Sequence, residues 1–126
     1  RNKHYARSTP FWKRLERLIS ERGIRAVIDI HGMKFSKRWP HICISTRGFT
    51  TASKKLVAAV SAYLRKHGLT VAVDYPFSGG ALIAEFGRPP EVEAFALEIR
   101  RDLRFAGSKI PALIAGVIEE VSKLLL

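Results

Sequence analysis

Two short stretches of this chain place residue types that can do chemistry where chemistry is commonly done. The first is Val27-Ile28-Asp29-Ile30-His31-Gly32-Met33, with Asp29 and His31 two residues apart. On a strand that spacing puts both side chains on one face. An imidazole at a strand's carboxyl end can bind a metal, and a nearby carboxylate can orient its ring. The plainer alternative is a histidine hydrogen-bonded at a strand end, with Asp29 as a turn acceptor. Zinc takes three or four protein ligands, and His31 would be only one of them.

The second stretch is Phe95-Ala96-Leu97-Glu98-Ile99-Arg100-Arg101. Glu98 interrupts an apolar run that reads as a buried strand, and burying an unpaired carboxylate is costly. It therefore either pairs with Arg100 or Arg101, or lies at the open end of a sheet. In the second case it can act as general base towards a water held by a metal.

Between these two lies Asp74-Tyr75-Pro76-Phe77-Ser78-Gly79-Gly80, directly after a strand-like run. Its paired glycines let the backbone approach a ligand closely and offer N–H donors to an anion. A plain turn has the same composition. Gly87-Arg88-Pro89-Pro90 reads as a rigid connector. His41 and Cys43 share a strand face and are both metal-binding types, yet an isolated cysteine in a strand is ordinarily core. His67 falls in the last turn of a helix, where partial positive charge suits the dipole. Trp12 lies on an apolar helix face and is expected inside, whereas Trp39 sits among basic residues, where it can either stack on a ligand or pack.

These residues must be positioned by alternating helices and strands. Helical periodicity predicts amphipathic helices over about Pro10–Arg22, about Thr51–His67, and from near Ser108 to the end. Ser8 or Thr9 is the expected N-cap of the first, Pro10 fits its first turn, and Gly23 and Gly68 stop the first two. Short β-branched runs at Arg25–Ile30, His41–Ser45, Leu69–Val73 and Val92–Ile99 predict strands. Helix–strand alternation with nearly continuous apolar strands indicates a three-layer α/β/α arrangement around a mainly parallel sheet, with a mixed sheet as the alternative. In open parallel sheets ligands bind beyond the carboxyl ends of the strands.

Composition sets the outer limits. The 126 residues are 47% apolar, enough for a single α/β domain with one buried core and too many for a disordered chain. No apolar run approaches the roughly 20 residues of a membrane helix. The single cysteine cannot form an internal disulfide and no secretory leader is seen, so a cytoplasmic setting is expected. Arg1 in place of an initiator Met suggests a chain processed or cut from a longer polypeptide. Twenty-two Lys and Arg against 11 Asp and Glu give +11 and favour anionic partners. The charges are spread over helix faces, densest at Arg1, Lys3, Arg7, Lys13, Arg14 and Arg17.

Taken in order, the motifs resemble the C-terminal portion of the N-formylglutamate amidohydrolase family. Ile28-Asp29-Ile30-His31-Gly32-Met33 is similar to that family's Asp-x-His-Ser-Met strand end. Asp74 to Gly80 is similar to its Asn-x-Pro-Phe/Tyr-Lys-Gly-Gly loop, and Glu98-Ile99-Arg100-Arg101-Asp102-Leu103 to its Glu-Ile-Asn-Arg-x-Leu ending. His4-Tyr5 and the helix after it also resemble the stretch before the histidine strand. The chain departs from the pattern at Asp74, Ser78 and Arg100, and it contains nothing like the family's upstream Pro-His-Ser-Gly segment, which carries the first metal-binding histidine and its acidic companion. The resemblance implies a zinc-exopeptidase-like fold related to zinc carboxypeptidases and aspartoacylase-like deacylases. It further implies that His31 is the last protein ligand of a zinc ion, with Asp29 behind it. Glu98 would activate the metal's water, and Gly79, Gly80, Arg100 and Arg101 would hold the carboxylate of a small anionic substrate. The expected function is metal-dependent hydrolysis of an N-acyl amino acid or similar amide. Zinc binding by these residues alone should be poor. A different class of function, a non-catalytic basic module binding RNA or another polyanion, is the alternative that the charge supports.

Overall fold

The computed structural model describes residues 8–126. Arg1, Lys3, Arg7 and the His4-Tyr5 pair therefore lie outside the described residues. The first helix, α1 (Pro10–Arg22), starts where Thr9 accepts a hydrogen bond from the Trp12 amide and stops at Gly23, whose φ of 63° is left-handed. Four strands follow: β1 (Ala26–Met33), β2 (Ile42–Ser45), β3 (Val71–Val73) and β4 (Glu93–Arg100). Helices α2 (Lys54–Lys66), α3 (Ala81–Phe86) and α4 (Ile110–Leu125) complete the chain, with one 3-10 turn at Arg101–Leu103.

The sheet order is β1-β4-β2-β3. β1 runs parallel to β4, and β2 runs parallel to β3, but the central β2–β4 pairing is antiparallel. The sheet is therefore mixed. Its cause lies in the connection from β1 to β2, residues 34–41, which carries no helix. Without a crossover helix the chain simply turns back, so β2 enters the sheet in reverse.

Alternation along the strands sorts side chains to two faces. Ile42, Ile44, Phe95, Leu97 and Ile99 point to one side and pack with Leu56, Val60, Leu64, Leu113, Val117 and Val121 of α2 and α4. Val27, Ala94 and Ala96 point to the other and meet Trp12 and Ile19 of α1 and Ile83 and Phe86 of α3. The expected α/β/α layering is the observed one. Two details tie the layers down. The Glu93 carboxylate, 3% exposed, accepts from the Ser53 amide at 2.7 Å, at the N-terminus of α2, where negative charge is stabilised. Gly116 of α4 lies so close to Tyr63 of α2 that a Cβ there would be 1.7 Å from the phenolic oxygen.

The second helix begins three residues later than its apolar pattern suggests, because Ser53 supplies the cap to the Leu56 amide. The Gly87–Pro90 connector is as expected a tight link, closed by the Arg88–Val92 bridge. Among the described residues no helix is long and apolar enough to cross a membrane.

Candidate active site

The helices leave the second face of the sheet open towards the carboxyl ends of β1 and β4, where small Ala94 and Ala96 give way to larger polar groups. Asp29 and His31 point to this face from β1. His31 Nε2 lies 2.7 Å from Asp29 Oδ2, which fixes the imidazole and leaves Nδ1 as the ring nitrogen able to face a ligand. The histidine side chain is 49% exposed and its aspartate 22%.

Glu98 is the lateral neighbour of His31. The parallel register pairs His31 with Glu98, one strand spacing of about 4.8 Å apart. The antiparallel register on the other side pairs Glu98 with Cys43. His31, Glu98 and Cys43 thus form a row across three strands on one face. Burial pushes the Glu98 carboxyl above its ordinary range; the nearby imidazole works against that shift and Asp29 reinforces it. Among the described residues Glu98 has no salt bridge to Arg100 or Arg101. Its electrostatic partner is the imidazole.

Cys43 is fully buried, and burial pushes its thiol up, so the group is a neutral S–H donor. It donates to the Phe77 carbonyl at 3.1 Å, and Ser45 Oγ donates to the same oxygen at 3.0 Å. This pair anchors the Asp74–Gly80 loop over the face. Because β3 runs opposite to β1, its carboxyl end lies at the far end of the sheet, and the loop reaches the site by folding back across the face. Asp74, at a left-handed φ of 58°, starts that return. Its carboxylate accepts from the Thr46 amide at 2.6 Å, the Thr46 hydroxyl at 2.8 Å and the Gly48 amide at 3.0 Å. Gly79, at φ 117°, packs against Ile83, which would collide with any Cβ there, and Gly80 precedes α3.

Arg100 follows Glu98 on the same face but turns inward. It donates to both carboxylate oxygens of Asp102 at 2.7 and 3.0 Å, and to the Trp39 carbonyl at 2.7 Å. Phe35 lies under the guanidinium, 5.0 Å from ring centre to Cζ. Arg100 therefore braces the 34–41 connection, while Arg101 is exposed on the 3-10 turn just beyond. Trp39 of that connection meets Phe77 edge to face at 5.5 Å. His41 is engaged elsewhere: its Nδ1 accepts from the Thr70 amide. Trp12 is buried against Phe86, as its helix face predicts.

Cys43 is core, as its isolation in a strand predicts. What sequence reasoning missed is its hold, with Ser45, on the Phe77 carbonyl, the pairing of Asp102 with Arg100, and the contact between the Trp39 and Phe77 loops. The only available signal was the position of Cys43 and Ser45 on the same strand face, two residues apart. The donor set present fits one corner of a zinc site. His31 backed by Asp29 has the character of a ligand, but no group of three or more His, Cys, Asp and Glu among the described residues could hold a metal.

No curated protein sequence matches the chain. A crystal structure of N-formylglutamate amidohydrolase from Ralstonia eutropha JMP134 superposes with a TM-score of 0.63 at 28% identity, over 89% of this chain. The alignment covers 45% of that protein, so the chain spans less than half its length. The family model for N-formylglutamate amidohydrolase matches residues 8–104, the span that holds both the His31 strand and the Glu98 strand. By that match, and with those two strands lying side by side, the chain belongs to the N-formylglutamate amidohydrolase family.

Proposed function

We propose that this chain furnishes the His31–Glu98 half of the active site of a zinc-dependent amide hydrolase acting on an N-acyl amino acid or similar small carboxylate. One observation carries the reading: a carboxylate-backed histidine and a partly buried glutamate are register partners on adjoining strands. Zinc, when bound, polarises the amide carbonyl and acidifies water. His31 would hold it through Nδ1, with ligands from outside the described residues completing the set.

The remaining chemistry belongs to this chain. Glu98, its carboxyl held above the usual range, accepts the proton of the attacking water as oxygen adds to the carbonyl carbon. It then delivers that proton to the nitrogen as the C–N bond breaks, so the amine leaves neutral. Asp29 keeps the imidazole in one orientation throughout. The exposed Arg101 and the backbone of Gly79 and Gly80 are the groups proposed for the substrate carboxylate, with Arg100 bracing the loop beside them. The unpaired Cys43 suits a reducing, cytoplasmic setting.

Metal content of the natural-length protein, measured by mass spectrometry beside His31→Ala, tests this. Near-stoichiometric zinc that disappears in the variant is the expected result. Absence of zinc from both proteins would overturn the reading.

A further inference from the structure

Aromatic side chains gather on the two loops held by Arg100 and by Cys43, the strand neighbours of Glu98, in a way the hydrolytic chemistry does not require. Phe35 is 55% exposed and Phe77 is 41% exposed, with Trp39 half-buried between the two loops that carry them. Two half-exposed phenyl rings leave roughly 200 Å² of apolar surface in water. Single exposed apolar residues are common, but rings gathered beside a candidate reaction centre mark a binding surface.

The rings are also held in place. Phe77 is fixed through its carbonyl by Cys43 and Ser45, and Cys43 is the strand neighbour of Glu98. Trp39 is fixed through its carbonyl by Arg100, two residues beyond Glu98, and by its edge-to-face contact with Phe77. Phe35 rests on the same guanidinium. Cys43 and Ser45 sit on β2, on the flank of Glu98 away from His31, and Arg100 lies two residues beyond Glu98 on β4 itself. A substrate whose amide lies between His31 and Glu98 would extend its neighbouring group towards these rings.

We infer that residues 34–41 and 75–80 form a subsite beside Glu98 for an aromatic or large apolar group adjoining the scissile amide. The inference rests on the hydrolase reading for its orientation and adds the substrate class. A formyl group or a single methyl would leave these rings uncovered, whereas a phenyl ring would cover them by edge-to-face or offset contact.

The test is calorimetric titration of the natural-length, zinc-supplemented protein with three probes. N-benzoylglycine and N-acetylphenylalanine carry a phenyl ring on either side of the amide, and N-acetylglycine carries none. At least one ringed compound should bind tenfold or more tightly than N-acetylglycine. In Phe77→Ala, a half-exposed position whose carbonyl anchor is retained, that preference should fall below threefold with N-acetylglycine unchanged. Trp39→Leu serves as the second variant, with folding checked by circular dichroism. Equal binding of all three probes, no binding of any at millimolar concentration, or a preference that survives both substitutions would overturn the subsite. Hydrolysis is followed in the same samples. Ring-selective binding without release of amine would count against the hydrolase reading and leave the subsite standing.

Discussion

Glu98 has a histidine on one flank and a cysteine on the other: His31 from β1 and Cys43 from β2 are its two lateral neighbours in the sheet. Burial raises the Glu98 pKa between them; the imidazole only partly offsets that shift and Asp29 adds to it.

This arrangement makes Glu98 costly to the fold at neutral pH. With the folded pKa above the unfolded one, the native state binds the proton more tightly. The resulting stability is complete below the ordinary value of 4.5 and is lost as pH rises through the folded value. We expect Glu98→Gln to flatten that decline, so that melting temperatures of variant and wild type diverge in the variant's favour towards pH 8. On the proposed hydrolase reading, the same substitution in the natural-length protein should lower kcat by about 10²–10⁴-fold. Identical slopes of melting temperature against pH would show that burial does not hold the proton.

Asp74 does structural work at the start of the glycine loop. Asp74→Ala removes three hydrogen bonds, leaves the buried Thr46 without its carboxylate partner and keeps a strained left-handed backbone. A loss of about 2–4 kcal/mol is expected in urea unfolding. Asp74→Asn, which tolerates positive φ and retains one acceptor oxygen, should cost under about 1.5 kcal/mol. Equal losses for the two variants would refute the hydrogen-bond account.

Arg100 and Asp102 form a brace whose strength depends on pH. The Arg100 guanidinium holds the exposed Asp102 carboxyl below its ordinary value of 3.8. A depressed folded pKa gives stability that is complete above the unfolded value and disappears as pH falls through the folded one. Asp102→Asn should therefore lower the melting temperature at neutral pH and match wild type near pH 2. Arg100→Met, which also leaves the Trp39 carbonyl unpaired, should cost about 2 kcal/mol and raise the mobility of residues 34–41 in amide exchange.

Close packing of α2 on α4 gives a non-additive pair. Gly116→Ala drives a methyl into the Tyr63 ring and should cost about 1–3 kcal/mol. Combined with Tyr63→Ala, it should cost less than the sum of the two single changes, as contacting residues do. Strict additivity would mean the helices separate rather than the ring giving way.

How far the residues announced this arrangement differs by element. α1 and α4 were legible because their apolar period is regular and, for α1, because Thr9, Pro10 and Gly23 punctuate it. The histidine and glutamate strands were legible as strands. Their adjacency was not, because alternation says which face a side chain takes but not which strand lies beside it. The reversal of β2 was foreshadowed by a helix-free connection, yet apolar strands look alike in either direction. α3 escaped notice because six residues span too few turns to show a period. The inward turn of Arg100 was hidden as well. Three of its acceptor oxygens belong to Asp102 and the Trp39 backbone, and an arginine beside a candidate site looks the same whether it faces substrate or protein.

The strand order has a consequence in time. Among the described residues β1 pairs only with β4, Ala26 opposite Glu93, and β2 also waits for β4 to fill the centre of the sheet. During synthesis β1 therefore leaves the ribosome with none of these partners available, and the β2–β3 pair, three positions long, is too short to hold by itself. The four-stranded sheet cannot be completed until residues 93–100 have emerged, and only then can His31 meet Glu98. A nascent chain halted before Glu93 would hold all of α1 to α3 and still have no site.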